Sequence, residues 1–259
     1  MHDHTLAYAY KNPHSHPASH ENEIAFAYTL ILATGGTNLP PTDTIIRDKE
    51  SAAGYDDQAL ATNWFGSDVV FGLVYEYVNP GETLLDLGIG SGLSSILFHR
   101  AGLRVYGLDG SEEVLKVCQA KNFTVDLKLH DLREYPLPYE SSSLNHIISV
   151  AVLNSFSDLD PLFGETARII KPQGVFAFTV EDQKPGQEES YPINRVEVDK
   201  APDEENAVRL FRHSSEYINR LLVKHNYRLL KKLEFLGFKY PAENQDIYFT
   251  AYIARKSNE

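Results

Sequence analysis

The chain of 259 residues has one cysteine, Cys118, one methionine and one tryptophan. A single cysteine cannot form an intrachain disulfide, which suits a reducing compartment and sets the expectation of a cytoplasmic protein. Basic residues are also scarce, 24 Lys and Arg against 36 Asp and Glu, a net charge of −12. Phosphate contacts need clustered cations, so the charge argues against a nucleic-acid partner and for a small molecule. No apolar run reaches the ~18 residues of a membrane span, and the start lacks the basic-then-apolar plan of a signal peptide, so no membrane partner is expected. A hydrophobic share of 42% allows one ordinary core and a smaller cap.

Against these absences stands one dense signal, the stretch Thr83 to Ser95. An apolar run ends in Asp86 and breaks into Gly88, Gly90 and Gly92 before a new apolar period, which predicts a strand, a tight turn and a helix start. Alternating glycines let main-chain N–H groups approach a ligand at the opening of that helix. The dinucleotide fingerprint G-x-G-x-x-G would need glycine at position 93, where Leu93 stands. The next apolar segment, Leu103 to Leu108, ends in Asp109, followed by Gly110 and by Ser111 as a candidate N-cap. A carboxylate at that point is placed to accept hydrogen bonds from both hydroxyls of a ribose.

Asp86-x-Gly88-x-Gly90-x-Gly92 resembles the first motif of class I S-adenosylmethionine-dependent methyltransferases, and the chain is similar to their small-molecule types 11 and 12. The resemblance spans about residues 52–256. It implies S-adenosyl-L-methionine as cofactor, its methionine part against the glycines and its ribose on Asp109, near Gly110 and Ser111. It implies Asp131 and Leu132, after the third strand, as adenine contacts, and Val150 at the end of the fourth strand as a neighbour of the sulfonium. Asn154, Arg212 and His213 become candidate substrate contacts. Many relatives have a histidine near Ser155, and this chain has none there, so no catalytic base is evident.

The rest of the chain reads in order. Residues 1–20 form a His-rich tail with His2, His4, His14, His16 and His20, expected to be mobile and not to hold a metal. Residues 21–80 read as a helical leader, with 24–33 a helix or, by its β-branched content, a strand. In this leader Tyr55 and Trp64 touch cofactor or substrate, or Trp64 simply anchors the leader on the sheet. Residues 81–259 form the core. Strands at 124–129, 144–150 and 174–180 alternate with helices at 112–120 and 159–170, which predicts a doubly wound parallel α/β sheet. Residues 181–206 read as a lid-like excursion, and 227–238 with 246–254 as an antiparallel edge hairpin. The expected fold is therefore a Rossmann-like seven-stranded α/β sheet, mostly parallel, with a C-terminal antiparallel hairpin and a helical cap. The expected function is methyl transfer to a small acceptor. A cofactor-binding protein without catalysis is one rival, and an NAD-linked oxidoreductase, disfavoured by Leu93, is another.

Overall fold

A computed structural model describes residues 44–46, 49–61, 64–194, 207–240 and 245–258. The histidine tail, the predicted 24–33 element and most of the second half of the 181–206 excursion lie outside the described residues. Five parallel strands build the sheet: β1 (Thr83–Leu87), β2 (Arg104–Asp109), β3 (Thr124–Leu129), β4 (Leu144–Ser149) and β5 (Ile170–Glu181). β9 (Gln245–Lys256) runs antiparallel to β5, and β8 (Tyr227–Tyr240) antiparallel to β9. The order β3-β2-β1-β4-β5-β9-β8 reverses between β1 and β4, which opens a crevice beyond the strand ends there.

Adjacent strand residues face opposite sides of the sheet, and both sides are covered. Leu85, Leu87, Ile147, Phe176 and Phe178 pack with Leu162 and Phe163 of α5 (Asp160–Ile169) and with Ile218, Leu221 and Leu222 of α6 (Ser215–Lys224). Leu84, Val105, Ile148, Val175 and Ala177 meet the opposite layer. That layer comprises Val70 and Val74 of α2 (Gly66–Val74), Phe98 of α3 (Ser95–Arg100), and Leu115 and Cys118 of α4 (Glu112–Ala120). Burial on both faces is why β5 from Val175 to Val180 reads as a largely apolar run, whereas the edge strand β3 alternates and stays partly exposed. Cys118 is a buried packing residue whose thiol burial pushes up to about 12.

Two expectations need correction. The strand expected at 174–180 begins at Ile170, with a bulge at residues 171–174 inside it, because Leu144 already pairs with Ile170 before the register jumps to His146 with Val175. Gln173 takes a left-handed φ of 67° in that bulge, and a Cβ on Gly174 would stand 2.2 Å from the Asn145 carbonyl oxygen. The excursion is not loop throughout, for β6 (Ser190–Asn194) and β7 (Ala207–Phe211) pair antiparallel as a separate two-stranded arm.

Candidate cofactor and acceptor site

A cleft of ≈ 740 Å³, counting the space open to solvent, lies at the carboxyl ends of β1, β2 and β4. Of the residues expected from sequence, Tyr55, Gly88, Gly90, Asp109, Gly110, Ser111, Asp131 and Leu132 line it. Asp109 is fixed by the backbone: Gly90 N donates to Oδ2 and Ser111 N to Oδ1, each at 2.8 Å. Burial raises its pKa, and the N–H groups of Ser111, Gly90 and Gly110 oppose that rise. The carboxylate lines the cleft with acceptor capacity left for a ligand hydroxyl. Ser111 caps α4, its hydroxyl accepting from Val114 N at 3.1 Å and donating to the Ile46 carbonyl. That second bond draws residues 44–46 across the cleft, where Thr44, Ile45 and Ile46 join its lining.

The three glycines do different jobs. A Cβ on Gly88 would stand 2.5 Å from Val152, and one on Gly92 2.6 Å from Phe123 and 3.0 Å from the Cys118 sulfur. Gly92 is thus a packing glycine, buried and outside the lining, because its missing side chain would point into the core. At Gly90, with φ of 55°, a Cβ would meet nothing nearer than the Tyr55 ring at 3.9 Å. Gly90 is the turn glycine whose open side faces the cleft.

Several expected contacts lie elsewhere. Asp86 is 1% exposed behind the turn, where it accepts a hydrogen bond from the Ser95 hydroxyl. Val150 turns into the core, because Ala151 adopts a left-handed φ of 59° and reverses the alternation, so Ala151 and Val152 line the cleft in its place. Trp64 is the anchor, its ring centroid 5.0 Å from Phe249 and 6.0 Å from Phe235 of the β8–β9 hairpin. Asn154 is buried in the short helical turn Leu153–Ser155 while Ser155 and Phe156 face the cleft. Arg212 and His213 also fall outside the lining and fasten the arm instead. Arg212 Nε donates to Glu181 Oε1 at 2.8 Å, its guanidinium 4.0 Å over the Tyr191 ring, and Tyr191 donates to Glu181 Oε2 at 2.7 Å. His213 Nε2 donates to the Leu153 carbonyl at 3.2 Å, its pKa lowered by burial.

Sequence reading missed Asp56, Arg133, Val114 and the 44–46 segment. Asp56 accepts from the Ser91 hydroxyl and pairs with Lys121, which ties α1 (Lys49–Ala61) to both the glycine turn and α4 and sets Tyr55 over Gly90. Asp56 left no signal of its own, because its partners Ser91 and Lys121 are reached through space. Ile45 packs against the open side of Gly110, where an added Cβ would stand 2.7 Å away, a contact seen only in the structure.

Burial pushes the Asp86 carboxyl up to about 7, the Ser95 hydrogen bond opposing the rise and the Asp109 charge adding to it. A carboxyl raised in the folded state gives its full stabilisation below its unfolded value and loses it as pH rises through the folded one. Asp86→Asn keeps an acceptor for Ser95 and removes the buried charge. The variant should melt several degrees above the parent at pH 8.5, with the gap narrowing below about pH 7 and closing only near about pH 4, the unfolded carboxylate range. A scanning-calorimetry series in which the gap is independent of pH would contradict this account of Asp86.

Residues 85–178 match the family described as a methyltransferase domain. The chain is 31% identical over 128 residues to the malonyl-[acyl-carrier protein] O-methyltransferase of Serratia marcescens, covering 49% of each protein. It is 30% identical over 138 residues to the arsenite methyltransferase of Halobacterium salinarum, covering 49% of this chain and 35% of that one. The chain thus spans about half or less of the length of these curated relatives. The fold is similar to the crystal structure of a SAM-dependent methyltransferase from Methanosarcina mazei, with a TM-score of 0.60 at 17% identity, over 72% of this chain and 98% of that one.

Proposed function

We propose that this chain, whose residues 85–178 match a methyltransferase domain, moves a methyl group from S-adenosylmethionine to a small-molecule acceptor at the carboxyl edge of the sheet. The observation that carries the reading is the Asp109 carboxylate, held by Gly90 N and Ser111 N in the lining of the cleft. The cleft fits the cofactor. A side chain is missing on the open side of Gly90, Asp109 offers acceptors for two hydroxyls, and Asp131 with Leu132 offers an acceptor and an N–H at the far end. When bound, the cofactor supplies a methyl group already activated on a sulfonium.

The chain's own residues then position and shield. Tyr55 and Ile45–Ile46 cover the cleft from the leader, and Val152 and Phe156 give it an apolar wall. Among the described residues no histidine lines it. Displacement at an activated methyl needs alignment and exclusion of water, which supply on the order of 7–11 kcal/mol without a base. The acceptor side is bounded by Ala151 to Phe156, and the arm packs behind that loop through His213 and Leu153. A net charge of −12 favours a small acceptor over nucleic acid.

The arm gives a test of the acceptor side. Replacing residues 183–204 with a short Gly/Ser linker should leave S-adenosylmethionine affinity within a fewfold while methyl transfer collapses. Full transfer in that variant, measured by release of S-adenosylhomocysteine, would remove the arm from the acceptor site.

A further inference from the structure

Arg133 belongs to no motif, yet it lines the cleft beside Asp131 and grips it. Its Nε donates to Oδ1 at 2.8 Å and reaches Oδ2 at 3.1 Å, its Nη2 donates to Oδ2 at 2.6 Å, and its own backbone N–H donates to Oδ1 at 2.9 Å. A carboxylate offers about four lone-pair positions. Two donors fill Oδ1, and the guanidinium takes one side of Oδ2. One acceptor position on Oδ2 is left, in a plane set by a two-point contact that a rotating carboxylate would not keep. The pair is only partly covered, with side-chain exposures of 40% for Arg133 and 28% for Asp131, so a ligand in the cleft can reach it.

We propose that Arg133 is a positioning residue for the purine of the cofactor: by holding Asp131 in one plane it leaves a single Oδ2 position for an amino group, and so sets a preference for a 6-aminopurine over a 6-oxopurine. This rests on the reading of the cleft as a site for S-adenosylmethionine with Asp131 toward the adenine. A 6-amino group donates to the remaining lone pair. A 6-oxo group presents an oxygen to it and is repelled, and a site built for one partner rejects the other because its own polar group is left unpaired. Without Arg133 the carboxylate turns freely and can accept from the ring N1–H that a 6-oxopurine carries, so it serves either base. Lysine cannot replace the arginine fully, because one ammonium does not span both oxygens in the fork geometry.

The test is calorimetric binding of S-adenosylhomocysteine and of its deaminated counterpart, S-inosylhomocysteine, to the full chain and to Arg133→Ala, Arg133→Lys and Asp131→Asn. The parent should prefer the adenosyl compound by roughly tenfold or more, Arg133→Ala should bring the ratio below roughly threefold, and Arg133→Lys should fall between. A purely structural role for Arg133 would weaken both ligands alike and leave the ratio in place, which overturns the proposal. Tighter binding of S-adenosylhomocysteine by Arg133→Ala overturns it too, since Arg133 would then be a competitor for Asp131. If Asp131→Asn loses the preference while Arg133→Ala keeps it, Arg133 alone is misassigned. If Asp131→Asn keeps the preference, the adenine reading of the cleft fails with it.

Discussion

Replacing Gly90 with valine is expected to abolish S-adenosylmethionine binding, a loss of roughly a hundredfold or more, equivalent to about 2.7 kcal/mol. The open side of Gly90 faces the cleft, with Tyr55 at 3.9 Å the first protein group a Cβ would meet, so added carbons occupy the space a ligand needs. The left-handed φ of 55° adds strain, which for a β-branched residue exceeds the ~1–2 kcal/mol of an ordinary one. Gly90→Ala is the smaller step and should lose binding at a stability cost limited to the ~1–2 kcal/mol of its left-handed backbone, since its Cβ meets no protein atom closer than 3.9 Å. Gly92→Ala should do the reverse, since its Cβ would collide with Phe123 and Cys118, and overpacking costs about 1–3 kcal/mol of stability. Calorimetry and thermal melts on the three variants check the pattern. Retained affinity in a folded Gly90→Val protein would mean that the turn faces something other than the cofactor.

Asp109→Ala should weaken binding by at least roughly tenfold, because two charge-assisted hydrogen bonds contribute about 1.5–3 kcal/mol each. It should also lower stability, because the N–H groups of Gly90 and Ser111 lose their acceptor in a partly buried position. Asp109→Asn separates the two effects: its one carbonyl oxygen keeps part of the backbone support while the charge is gone. An unchanged dissociation constant in either variant would remove Asp109 from the ribose.

The core was legible because doubly buried strands leave largely apolar runs between turn residues, as in Val175–Val180. Asp109 and the Ser111 cap were legible because strand end and helix start fall within three residues of chain. What escaped was set through space. The three glycines look alike in sequence and differ only in what stands opposite: Val152, the open cleft, or Phe123 with Cys118. Trp64 was claimed by Phe235 and Phe249 from the far end of the chain. Val150 went to the core and Val152 to the cleft, where one left-handed residue, Ala151, separates them. Arg212 and His213 were noticed for their chemistry and are spent on holding the arm to Glu181 and to the 153–155 turn.

The central claim is methyl transfer to a small molecule from a cofactor bound over Gly90 and Asp109. It is tested most directly by incubating the protein with S-adenosylmethionine and a cell extract divided into low-mass and macromolecular fractions, and following release of S-adenosylhomocysteine. The account predicts release that depends on the low-mass fraction and vanishes with Gly90→Val. Binding of S-adenosylmethionine without release from either fraction, or release that needs only the macromolecular one, would contradict it.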